Sequence, residues 1–128
     1  MSRRTLFRIF ALLFVAAAIY HAAAFAHPAL SEGGTRSRHA AFFAIDLLFA
    51  WYMLKRPRWF VAAFSLLTLE TLYGHGLHAW KLWHDQGRLD WLSFAVLIAV
   101  PCMLAFLIAE ARGRSRVAGD GASQANPS

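Results

Sequence analysis

The sequence predicts an all-α integral membrane protein, a compact bundle of four transmembrane helices with both termini cytoplasmic. Three observations carry that expectation. Of 128 residues, 59% are hydrophobic and only 16% are charged, too apolar for an ordinary soluble domain of this length. The apolar residues are grouped into four runs, 9–26, 40–54, 59–80 and 91–109, separated by short polar punctuation. The positive charges also alternate in density from one loop to the next.

The four runs place helices at about 5–28, 38–55, 58–83 and 90–111. A helix crosses about 30 Å of hydrocarbon with roughly 20 residues, a length the first, third and fourth runs reach. The second run is short and carries Asp46. Its aromatic and aliphatic residues contribute roughly −2 to −4 kcal/mol on an insertion scale, against about +3 for the aspartate, so it inserts with help from its neighbours. In the first helix, "VAAAIYHAAAFA" offers Ala18, Ala22 and Ala26 as a small-xxx-small packing row. Pro101 kinks the fourth helix. Residues 1–112 form the membrane domain. The tail 113–128 is small, polar and Gly/Ser-rich, and is expected to be a disordered cytoplasmic segment.

Orientation follows from charge. Arg3, Arg4, Arg8, Lys55, Arg56, Arg58, Arg112, Arg114 and Arg116 flank one side, and only Arg36, Arg38, Lys81 and Arg88 the other. Nine against four is a positive-inside bias, which puts both termini in the cytoplasm of a multi-pass cell-membrane protein, of the bacterial inner-membrane kind. The net charge of +6 is therefore assigned to topology and anionic lipid, with no nucleic-acid partner. Arg3–Arg4, a short apolar core and Ala24-Phe25-Ala26 also mimic a secretory signal, whose cleavage after Ala26 would leave three helices and an N-terminal His27-Pro28. Tyr20 and His21 interrupt that core, and the uncleaved helix is the expectation.

With this topology all six histidines, His21, His27, His39, His75, His78 and His84, fall on the outer side. His39 and Asp46 are seven apart and share a face of helix two. Glu70, Gly74 and His78 form a row on helix three, with Thr71 and His75 beside it. Polar stripes on membrane helices face the bundle interior, because an unpaired charge in lipid costs several kcal/mol (roughly). The expected site is thus His21, His39, His75 and His78 as cofactor-binding residues. As metal ligands, the same four are joined by the carboxylates Asp46 and Glu70.

Imidazole and carboxylate suit a transition metal. A b-type haem is the other cofactor the set predicts: Gly74, Gly76 and the alanines would give clearance, and Arg36, Arg38 and Arg88 would meet propionates. Neither HExxH nor Glu-x-x-His spacing occurs. C-x-x-C-H is absent too, which excludes covalent haem, and the single Cys102 excludes an internal disulfide. Redox or metal handling is the function these residues suggest. The alternatives are a non-catalytic scaffold or subunit of a membrane complex, and a small proton-coupled transporter. An intramembrane carboxylate–histidine pair also suffices for acid–base catalysis, although soluble-enzyme signatures such as the Walker loop and G-x-S-x-G are missing. Membrane lipids, a second copy or a larger membrane complex are the expected partners.

In length and helix count the chain resembles the small multidrug exporters. Their essential glutamate lies in the first helix, which here carries only Arg8 and histidines, so none of their residues is carried over.

Overall fold

The computed structural model describes residues 2–30 and 35–124, with side chains described up to residue 115, Pro28 excepted. These residues form four α-helices and one 3-10 turn, with no strand among them. They divide into two compact units, Met1–Pro57 and Arg58–Ser128, each an antiparallel helical hairpin.

The first hairpin pairs α1 (Arg3–Ala26) with α2 (Arg36–Lys55). Ser2 starts α1, its hydroxyl accepting the Thr5 N–H at 3.2 Å. Thr35 starts α2 in the same way, accepting from Arg38 N–H at 3.3 Å. Such caps satisfy backbone donors that the first helical turn leaves over. The 3-10 turn Pro28–Leu30 follows α1, and the Tyr20 hydroxyl donates to the Leu30 carbonyl at 3.4 Å. At the other end Arg56 closes α2 in the left-handed region, φ 52°, its guanidinium over the Phe7 ring at 4.7 Å.

The buried face of α1 is Phe7, Phe10, Ala11, Phe14, Ala18 and Ala24. This corrects the expected alanine row: Ala18 is buried, but Ala22 and Ala26 are exposed. The buried positions 7, 11, 14 and 18 advance by four and three in turn. That is the seam of two helices packed nearly parallel to each other's axes, and a strict i+4 row drifts off it. The facing stripe on α2 is His39, Asp46, Ala50 and Met53, which follows the same spacing.

The second hairpin pairs α3 (Phe60–Gln86) with α4 (Trp91–Gln124). Phe60, Phe64, Thr68 and Thr71 of α3 are buried, as are Ser93, Met103 and Leu107 of α4. Gly87 ends α3 at φ 62°, a conformation that glycine adopts without a Cβ penalty. Pro101 lies inside α4 and offers no N–H to the Leu97 carbonyl one turn earlier. The helix runs to Gln124, thirteen positions beyond the end at 111 drawn from hydropathy (124 − 111 = 13). Hydropathy reports where a chain becomes polar, not where it stops being helical.

Among the described residues, two helices are long and apolar enough to cross a membrane: α1, and the Trp91–Ser115 part of α4. Asp46 with three flanking cations lowers the apolarity of α2, and Glu70, His75, His78 and Lys81 lower that of α3. Both hairpins nevertheless carry large apolar side chains on their surfaces. Leu12, Ile19, Leu66, Leu69 and Leu92 are each 63–69% exposed, an arrangement water disfavours and lipid does not.

Candidate functional site

The seam of the first hairpin brings three of the expected residues together. His21, on the second-from-last turn of α1, faces His39 on the first turn of α2, with Nδ1 to Nδ1 at 3.0 Å. Its other ring nitrogen, Nε2, lies 3.7 Å from Asp46 Oδ2. His39 and Asp46 are seven residues apart, about 10 Å along the axis, and the His21 ring spans the interval between them. His39 is 7% exposed and Asp46 5%. Phe42, one turn beyond His39, stacks on the His21 ring at 5.3 Å and 26°, while Tyr20 sits edge-on to both imidazoles. The imidazoles are therefore packed as well as hydrogen-bonded.

The partners assign the protons. Asp46 Oδ2, at 3.7 Å, is beyond hydrogen-bond length and is itself buried without a hydrogen-bond partner among the described residues. The arrangement in which His21 carries its proton on Nε2, towards that carboxylate, presents a lone pair at Nδ1. His39 then donates from its own Nδ1, which leaves its Nε2 unprotonated. That Nε2 is buried with no hydrogen-bond partner among the described residues. Buried polar atoms are nearly always paired, so His39 Nε2 is the open end of a chain running His39, His21, Asp46.

Two more of the expected residues lie in the second hairpin. His75 Nδ1 is 2.9 Å from Ser93 Oγ, and Ser93 in turn hydrogen-bonds Asp90. His78 Nε2 approaches Asp90 Oδ2 at 3.6 Å. Asp90 also accepts the N–H groups of Leu92 and Ser93 at 3.1 and 3.2 Å, and thereby caps α4. The Ser93 hydroxyl is the largest influence holding the Asp90 carboxyl below its ordinary value; burial opposes it, and the backbone N–H groups and His78 add to it. Asp90 and Ser93 were not among the residues picked from the sequence. Their signal is "DWLS", an aspartate directly before an apolar run, which reads as a helix start.

The remaining expected site residue, Glu70, is exposed. Glu70 and His78 lie on the exposed side of α3, while Thr71 is buried and His75 half-buried. Gly76 opens onto space, with nothing within 4 Å of an added Cβ. His27 caps the end of α1, and His84 pairs with its neighbour Asp85 at 3.0 Å.

Among the described residues, no group of three or more His, Cys, Asp or Glu side chains is placed to hold a metal ion. The geometry gives the reason. His21 points its two nitrogens at different partners, and one ring cannot offer both to a single ion. His75 is engaged with Ser93, and His78 with the cap of α4. What the first hairpin arranges instead is a line of proton donors and acceptors.

Compared with known proteins, the chain matches no family model, no curated protein and no solved structure.

Proposed function

We propose that this chain is a multi-pass protein of the cell membrane in which His39, His21 and Asp46 take up and pass on a proton, as in a small proton-coupled transporter. The proposal includes four spans with both termini cytoplasmic, supported by the nine-to-four charge bias and by the exposed leucines on both hairpins. The observation that carries the function is the imidazole–imidazole contact at 3.0 Å, with a buried carboxylate on the far side of His21.

Each proton transfer balances. A proton arriving at His39 Nε2 makes that ring cationic. The ring then gives its Nδ1 proton to His21 Nδ1, and His21 gives its Nε2 proton to Asp46 once their 3.7 Å separation closes to hydrogen-bond length. One proton enters, one is stored on the carboxylate, and neither imidazole keeps a net charge. Intramembrane histidines and carboxylates serve as proton relays because a charge that moves along such a line need not remain unpaired in a medium of low dielectric.

The test is reconstitution into vesicles loaded with a pH-sensitive dye, followed by an imposed acid step outside. Wild-type protein should dissipate the gradient, and Asp46→Asn, which keeps the shape and removes the titratable oxygen, should reduce dissipation to that of empty vesicles. Equal rates for the two proteins would end the proposal.

Transition-metal handling is the second reading, favoured by one observation. Two Nδ1 atoms 3.0 Å apart leave room for one ion at ~2.1 Å from each, with Asp46 behind His21 Nε2 as the orienting carboxylate. Further ligands would have to come from elsewhere. Purification in mild detergent with an absorption spectrum and elemental analysis separates the readings. A Soret band or stoichiometric metal would replace the proton relay as the leading account.

A further inference from the structure

We infer that a groove between α3 and α4, at the end of the second hairpin away from Asp90, binds the phosphate-bearing headgroup of an anionic phospholipid. The inference rests on the membrane reading above and is independent of the proton relay. The groove is shallow and open, has a volume of about 380 Å³ and is lined by Arg58, Val61, Ile108, Ala111, Arg112 and Ser115. Val61, Ile108 and Ala111 are half-buried and make an apolar wall, whereas Arg58, Arg112 and Ser115 are exposed.

Two features make this more than a basic helix end. The first is that neither Arg58 nor Arg112 has an ion-pair partner among the described residues, while nearby Arg114 is paired with Glu110 at 3.9 Å. Two guanidiniums without ion-pair partners on one groove can both donate to one shared anion. The second is that α3 begins here without a side-chain cap. The Val61, Ala62 and Ala63 N–H groups are taken by the carbonyls of Arg58 and Trp59, so it is the positive end of the α3 dipole that favours a negative charge at the same place. The Ser115 hydroxyl donates to the Ala111 carbonyl at 3.1 Å, so the two arginines, not the serine, supply the donors to phosphate.

The apolar wall selects the occupant. A free phosphate ion would use the arginines and leave Val61 and Ile108 uncovered. A phospholipid uses both, with the phosphodiester between the guanidiniums and the upper part of an acyl chain along Val61, Ile108 and Ala111. By the proposed topology the groove lies at the cytoplasmic surface, where anionic headgroups attract juxtamembrane cations.

Native mass spectrometry of the full-length protein in mild detergent, supplied with phosphatidylglycerol or phosphatidylcholine, tests this directly. Wild-type protein should retain phosphatidylglycerol in preference to phosphatidylcholine. The double variant Arg58→Gln/Arg112→Gln should lose roughly tenfold or more of that affinity, and Arg114→Gln should keep it. Should the double variant fail to fold, the single variants are measured instead, each with an expected loss of about fivefold. No loss in any of them would overturn the site. Displacement of the lipid by millimolar inorganic phosphate would overturn the lipid as occupant and leave a simple anion site. Alkaline carbonate extraction of the source membranes separates the two levels. Release of the wild-type chain would end the membrane reading, whereas a retained chain without lipid preference would end only this inference.

Discussion

Asp46 stands ten residues beyond the start of α2 (46 − 36 = 10), whereas Asp90 stands one residue before the start of α4. Each is within 4 Å of a histidine nitrogen, 3.7 Å for His21 and 3.6 Å for His78, yet the two carboxylates do different work. A carboxylate at a helix start is satisfied by the backbone, because the first turn has N–H groups to spare. In mid-helix every N–H is already used, and the carboxylate must find a side chain. The first hairpin therefore draws its polar groups inward, with His21 20% and Asp46 7% exposed at their side chains. The second leaves His78 46% exposed, in solvent that screens its contact with Asp90. Identical residue types form a buried histidine–carboxylate line at one depth and a helix cap at another.

The sharpest way to break this comparison is to make the same change at both carboxylates. Asp46→Asn should abolish proton uptake in the vesicle assay, while Asp90→Asn should leave it intact, because asparagine caps a helix about as well as aspartate. Loss of uptake in both variants would mean that depth is not what separates them.

Next in size is the removal of a histidine from each hairpin. His21→Ala strips His39 Nδ1 of its partner in a buried site and should cost about 1–3 kcal/mol of stability. His75→Ala removes one half-buried bond to Ser93 and should cost about 1 kcal/mol. Reversible unfolding in detergent reads both, and the reverse order would contradict the burial argument. Asp90→Ala should cost about 1 kcal/mol through the lost cap, visible as faster amide exchange at Leu92 and Ser93 before the rest of α4.

The cap also has a pH signature. Because the Asp90 carboxyl is held below its ordinary value of 3.8, its stabilising contribution is complete above that value. It is lost as pH falls through the lower, folded-state value. Acidification below 3.8 should therefore release the start of α4, and Asp90→Asn should remove that step from the acid unfolding curve. The smallest effect should come from His84→Ala, whose exposed pairing with Asp85 is worth little; no change in unfolding midpoint is expected.

Much of the first hairpin was legible in the residues themselves. The seven-residue interval from His39 to Asp46 placed both on one face whatever lay opposite, and His21 was the polar residue available in the first apolar run. The all-helical class followed from the length of those runs. What could not be read was register. Whether His75 meets Ser93 depends on how α3 slides against α4, and periodicity within one helix holds no information about its partner. The alanine row failed for a related reason. Ala22 and Ala26 are spaced for contact, but the seam turns away from them by a fraction of a residue per turn. The gathering of histidines into one metal set assumed that every polar side chain pointed to a common centre, whereas neighbouring serine and backbone groups had claims on some of them.

The stacking of Phe42 on the His21 ring bears on what kind of device a line of imidazoles can be. After one proton has moved from His39 to Asp46, both rings hold their hydrogens on the opposite nitrogens from where they began. They return to the starting arrangement either by sending every hydrogen back the way it came or by rotating. A ring wedged face-to-face against a phenylalanine and flanked by Tyr20 rotates only when the helices part. On the proposed relay, then, the line at rest would store a proton and return it to the side that supplied it, as a latch does. Net passage requires the hairpin to breathe once per proton, so turnover would keep time with helix motion and not with the far faster hop between nitrogens.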